Sequence, residues 1–240
     1  AVSWCEQQAP HAIRDVKRVA TKVLALSFQG QAAEQQLYVV ISADACSGHI
    51  LQVTTNYSDE TVGDALLYKG SASPAPQMLH ECPVEHLRWQ EMQFMQRRQF
   101  DEIHYGSARL KGNDGHFQRL KRRFPAITDH YLAHECVLRG AAITAWSAEV
   151  QRGTTNLWFV LEDANPPSGT QTEYRLTGRW NIGWWNNVWQ RWSCDGADKL
   201  VCSLTGQKQA GNIAPVSLRA CDAFVRWLHT HPWSSGQSGL

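Results

Sequence analysis

Three acidic side chains, Asp44, Asp114 and Glu149, stand in three different kinds of local sequence. Asp44 ends the apolar, β-branched run LYVVISA (37–43), Asp114 lies in the glycine-flanked GNDG, and Glu149 lies in an alanine-rich stretch 35 positions after Asp114. A strand tip, a loop and a helix that converge at one edge of a sheet would hold hard divalent ions, Mg²⁺ or Mn²⁺, through carboxylate oxygens. Two such ions about 4 Å apart activate water or a 3′-hydroxyl and neutralise the leaving oxygen of a phosphodiester. Arg109, Lys111, Arg119, Lys121, Arg122 and Arg123 surround Asp114 in the sequence and would contact DNA phosphates beside the metals. Each residue also has a plainer reading. GNDG is a ready-made turn, an Asp after a strand usually caps one, and a basic run is usually a solvated helix face.

Two histidine–cysteine clusters offer a different metal. His80, Cys82 and His86 lie in HECPVEH, and His130, His134 and Cys136 lie in HYLAHEC. Four such ligands, taken as His80, Cys82, His86 and Cys136, would close a tetrahedral structural Zn²⁺ site. Neither spacing is that of a standard zinc finger, and neither is HExxH. A Cys–His hydrolase using Cys82 or Cys136 lacks a local nucleophile signature. The sequence has no G-x-S-x-G, P-loop or G-x-G-x-x-G to support acyl or nucleotide chemistry.

Trp180, Trp184, Trp185, Trp189 and Trp192 fall within thirteen residues, beside Arg179 and Arg191. Trp184 and Trp185 would stack on exposed bases next to the guanidinium groups. The bland alternative is a core layer: in a helix, Trp180, Trp184 and Val188 would line one face. The spacing leaves one or two aromatic strands or an amphipathic helix open for residues 173–196.

The elements that must position these groups are partly legible. KVLALSF (22–28), LYVVISA (37–43) and ILQVTTNY (50–57) read as three consecutive antiparallel strands. Residues 70–77 form a Ser/Pro/Gly linker, and 82–103, with Leu87, Met92, Met95 and Ile103 at helical spacing, reads as a helix. Residues 104–110 read as a strand and 111–115 as a turn. HFQRLKRRF (116–124) is a basic helix stopped before Pro125. Residues 130–151 read as helix interrupted at Gly140, 156–164 as a strand, and 215–231 as a final helix. Four regions follow: a lead-in (1–21), a core (22–164), a Trp-rich C-terminal region (165–232) and a disordered tail (233–240). The order of elements predicts an α/β or α+β fold, a mixed sheet of about five strands flanked by helices.

The chain of 240 residues can bury a sizeable core. A net charge of +1 excludes a global polycation, so a nucleic-acid site must be a local patch. No run approaches a membrane span, and the first residues lack an apolar signal core. Seven cysteines, an odd number widely scattered, argue for a reducing compartment, the cytoplasm, over a disulfide framework.

YVVISADACSGHILQVTTNYS (38–58) resembles the strand pair that opens the core of DDE transposases and integrases. GNDGHF (112–117) resembles the segment with that family's second Asp, RGAAITAWSAEV (139–150) the helix with its Glu, and PVSLRACDAFV (215–225) the tail of some insertion-element transposases. The resemblance covers about residues 22–160 with gaps. It implies a ribonuclease H-like fold and Mg²⁺-dependent DNA cleavage and joining by Asp44, Asp114 and Glu149, in a homo-oligomer. One departure stands out. The family's first Asp commonly lies on the strand before the Ser-Gly turn, and here KVLALSFQG (22–30) has no acidic residue. A catalytically silent DNA-binding relative, or a zinc-stabilised interaction module, is therefore kept beside the enzyme.

Overall fold

The computed structural model describes residues 15–29, 34–55, 116–163, 173–182, 187–206 and 213–230. The linker at 70–77, the expected helix at 82–103 and the segments at 104–115 lie outside them. Among the described residues the chain is an α/β protein built on one eight-stranded sheet in the order β3-β2-β1-β4-β5-β8-β7-β6.

Strands β1 (Arg18–Gln29), β2 (Glu34–Asp44) and β3 (Ile50–Thr55) form the antiparallel meander the alternation predicts. Register runs from Val19↔Asp44 to Gln29↔Glu34, so the predicted connection at 29–36 shrinks because both strands run on into it. The turn after β2 needs Gly48, whose φ of +72° only glycine adopts without strain. β4 (Asp129–Ala133) pairs parallel to β1, and β5 (Asn156–Glu162) parallel to β4. β8 (Ala197–Ser203), β7 (Asn187–Cys194) and β6 (Arg175–Ile182) continue the same sheet antiparallel beyond β5.

Three expectations are corrected, and one open alternative is resolved. The sheet has eight strands rather than about five. The helix expected over 130–151 begins as strand β4, because His130 and Tyr131 point to opposite faces and both faces are buried. A centrally buried strand loses the polar alternation that would betray it. Helix follows only at α2 (Cys136–Ala145) and α3 (Ser147–Gln151), and the break falls at Trp146 rather than Gly140. Within 173–196, left open between aromatic strands and a helix, the described residues form strands β6 and β7, with Trp180 paired to Trp189. The final helix, α4 (Asp222–Thr230), is shorter than expected and follows a 3-10 turn at Arg219–Cys221.

Helix α1 (His116–Arg123) stops before Pro125 as its sequence requires. With α2 it covers the first face of the sheet: Phe117, Leu120, Leu138, Ala142 and Trp146 pack on Val19, Val40, Leu157 and Phe159. Each large side chain buried there contributes about 1.5–3 kcal/mol, far more than any surface ion pair. The second face packs Ala20, Ile41, Tyr131, Trp158, Val160 and Val201 against Ile213, Val216, Leu218 and Cys221. No helix among the described residues is long and apolar enough to cross a membrane.

Candidate functional site

Asp44 sits where β2 turns toward β3, paired with Val19 at the start of β1. Its carboxylate Oδ2 accepts hydrogen bonds from Ser47 N–H at 2.9 Å and Ser47 Oγ at 2.5 Å. The backbone closes the same turn, Gly48 N–H donating to Asp44 O and Asp44 N–H to His49 O. The side chain is buried and locks a turn, as an aspartate after a strand commonly does.

Glu149 lies on the one-and-a-half-turn helix α3. That helix ends in a Schellman motif: Gly153, at φ +72°, donates to Val150 O, and Thr154 N–H donates to Glu149 O. Glu149 Oε2 accepts Lys121 Nζ at 2.8 Å, and Oε1 accepts Arg152 Nη2 at 3.3 Å. The Lys121 hydrogen bond holds its carboxyl below the usual range. Lys121 Nζ also donates to Ala145 O at 2.8 Å, a carbonyl left open at the end of α2. The fold thus brings together one residue expected to bind metal and one expected to bind phosphate, and each satisfies the other.

The remaining cations of α1 divide. Arg123 Nη1 donates to Leu51 O at 3.2 Å, which ties the helix to edge strand β3. Arg119 is half-buried and Arg122 exposed. Asp114, Arg109, Lys111, Trp184, Trp185, His80, Cys82 and His86 lie outside the described residues, as does the side chain of Cys136, which opens α2. Among the described residues no group of three or more His, Cys, Asp or Glu is arranged to hold a metal ion. With Glu149 facing two cations and Asp44 fastened to Ser47, these two carboxylates as placed do not fit a divalent ion. Binding one would require Lys121 and Arg152 to leave.

Sequence reasoning missed a buried polar chain. Thr21 Oγ1 and Ser42 Oγ lie 2.7 Å apart, Ser42 Oγ is 2.8 Å from His116 Nε2, and His116 Nδ1 is 2.8 Å from Thr54 Oγ1. It links β1, β2 and β3 to the first residue of α1. Burial, helped by Arg119, pushes His116 down to about 3, so the ring is neutral, with one nitrogen donating and the other accepting. A serine–imidazole pair of this geometry would suit nucleophilic catalysis if substrate reached it, but Thr21, Ser42 and His116 are fully buried. The signal in the sequence was slight: a histidine at the start of a helix, opposite hydroxyls on strands. His130 also stands on the first face, its ring 4.2 Å from that of Trp146. Among the described residues neither His130 nitrogen nor Trp146 Nε1 has a hydrogen-bond partner.

The fold and these contacts define an α/β protein with a mixed sheet and a cationic helix on one face. No family model, curated protein or solved structure matches the chain.

Proposed function

We propose that the chain is a ribonuclease H-like, transposase-related protein that binds DNA through α1 without cutting it. Support for the fold is the half-sheet β3-β2-β1-β4-β5, in which three antiparallel strands meet two parallel ones with helices on one face. The observation that carries the silent version of the function is the Lys121–Glu149 pair. An ammonium occupies the side of the carboxylate that a metal would need. DNA contact rests on a helix with three arginines and a lysine and no acidic residue, of which Lys121 and Arg123 serve the fold. Arg119 and the exposed Arg122 are the cations of α1 that would contact phosphate. The odd, widely scattered set of seven cysteines accords with a reducing cytoplasm, and the resemblance implies a homo-oligomer.

The test is a tryptophan-fluorescence titration with duplex DNA at several salt concentrations, run beside a nicking assay in Mg²⁺ and Mn²⁺. Binding should weaken steeply with salt, and Arg119→Gln and Arg122→Gln should each reduce the salt slope by about 1. Nicking should be absent. Nicking that disappears in Asp114→Asn and Glu149→Gln would instead establish the transposase enzyme, with Asp44, Asp114 and Glu149 on Mg²⁺. One equivalent of zinc without salt-sensitive DNA binding would point to the interaction module.

A further inference from the structure

Glu149 is the one acidic residue in the sequences of α1, α2 and α3, which carry Arg119, Lys121, Arg122, Arg123 and Arg139. Two cations converge on its carboxylate from different parts of the chain, and each takes its own oxygen. Lys121 Nζ, from α1, lies 2.8 Å from Oε2, and Arg152 Nη2, just past α3, lies 3.3 Å from Oε1. Cationic donors that meet separate oxygens of one anion suit a phosphate as well as a carboxylate.

The ammonium has holds other than the carboxylate. Lys121 Nζ donates to Ala145 O at 2.8 Å and lies 5.8 Å from the centre of the Trp146 ring. Both contacts are at the end of α2, and they keep Nζ in place whichever anion faces it. Solvent reaches the cluster: the side chains of Lys121, Glu149 and Arg152 are 31%, 24% and 63% exposed. Lys121 adjoins Arg122 on α1, so the cluster borders the helix face that would meet DNA.

We propose that Glu149 is an internal stand-in for a DNA phosphate, masking a two-cation subsite formed by Lys121 and Arg152. The mask rests on the reading of α1 as a DNA-contacting helix, and it adds to that reading a built-in limit on affinity. A carboxylate tethered within the fold acts at a high effective concentration, so one phosphate of a passing duplex does not displace it. Such a duplex meets Arg119 and Arg122, while the charge of Lys121 and Arg152 is answered from within. Without the carboxylate, both cations are available to a phosphate.

Titration of the full chain with duplex DNA over a range of salt concentrations tests this, the parent beside Glu149→Ala. Removing the carboxylate should steepen the slope of log K against log salt by about 2, about 1 for each cation released, with the circular dichroism spectrum unchanged. Glu149→Gln, which keeps the shape of the side chain, should move the slope the same way. Lys121→Met and Arg152→Met, each placed in the Glu149→Ala background, should each take back about 1 of the gain. Binding seen in the Glu149 variants and not in the parent would also support the mask. Salt-sensitive binding by the parent, with a slope that the Glu149 variants leave unchanged, overturns the mask and leaves the DNA reading standing. So does tighter binding without a steeper slope, or a gain that survives both Lys121→Met and Arg152→Met, since the lost negative charge then acts only through the general field. No salt-sensitive binding by parent or variants overturns the DNA reading itself, and the mask with it.

Discussion

His116 and His130 are both fully buried, and burial pushes each imidazole from its ordinary 6.5 down to about 3. Their surroundings differ. His116 has a hydroxyl at each ring nitrogen, whereas His130 has aromatic rings and, among the described residues, no hydrogen-bond partner. Opposite mutational effects should follow. His116→Phe leaves Ser42 and Thr54 short of a partner and should destabilise by about 1–3 kcal/mol. His130→Phe removes two unsatisfied nitrogens from an apolar layer and should be neutral or stabilising by about 1 kcal/mol. Urea unfolding at neutral pH reads both. The pH dependence has a fixed sign. Below 6.5 the unfolded chain takes up protons that the folded imidazoles refuse, so stability is full above 6.5 and falls as pH drops toward about 3. His130→Phe should therefore unfold at a lower pH than the parent in an acid titration followed by circular dichroism.

At the scale of elements, the β7–β8 connection shows how much a short signal specifies. Asp195 at φ +43° and Gly196 at φ +78° form the two-residue turn between Cys194 and Ala197. Both central residues in the left-handed region is the tight hairpin that Asp-Gly favours. Gly196→Val forces a β-branched residue into that region and should cost about 1–2 kcal/mol, seen as a lower thermal midpoint with the sheet intact by circular dichroism. This Asp-Gly pair was legible in the sequence, and with it strand β8 could have been read. It was obscured because ADKLVCS places Lys199 where an apolar residue is expected. The β1–β3 meander was legible from alternation and the Ser-Gly turn, and α1 from Pro125. β4 was not: HYLAHEC carries a helix-like i, i+4 histidine pair, and burial on both faces removed the contrasting signal. Among the described residues β3 is an edge strand with no charged side chain, and Arg123 of α1 donates to its Leu51 carbonyl.

Across the whole molecule, one buried lysine couples the antiparallel half of the sheet to the C-terminal segment. Lys199 is 1% exposed, and its Nζ lies 4.3 Å from the centre of the Tyr174 ring. Burial lowers it to about 8 despite Glu162 nearby. Lys199→Met keeps the length of the side chain but leaves the carbonyls of Ile213 and Ala214 without their donor, and should cost about 1–3 kcal/mol at neutral pH. The parent holds a lysine whose folded value is depressed from 10.5, so it gains stability relative to the variant as pH rises from about 8 toward 10.5. Urea midpoints compared at about pH 7.5 and about pH 10 check that sign.

The sequence by itself determined the α/β class, the three-strand meander, the basic helix with its stop, and the kinds of side chain available for phosphodiester chemistry. These follow from local rules of periodicity, turn residues and proline sterics, which act within a few positions. Tertiary structure alone decided what the carboxylates do. Lys121 meets Glu149 across a gap of 28 positions because α1 and α2 pack side by side, and Asp44 is drawn into its own turn. It also decided that the tryptophan segment is a pair of strands, since β8 offers Trp189 and Gln190 a partner edge. A charge can be read from one residue, but its effective chemistry depends on the neighbour that desolvates or neutralises it, and that neighbour is chosen by packing.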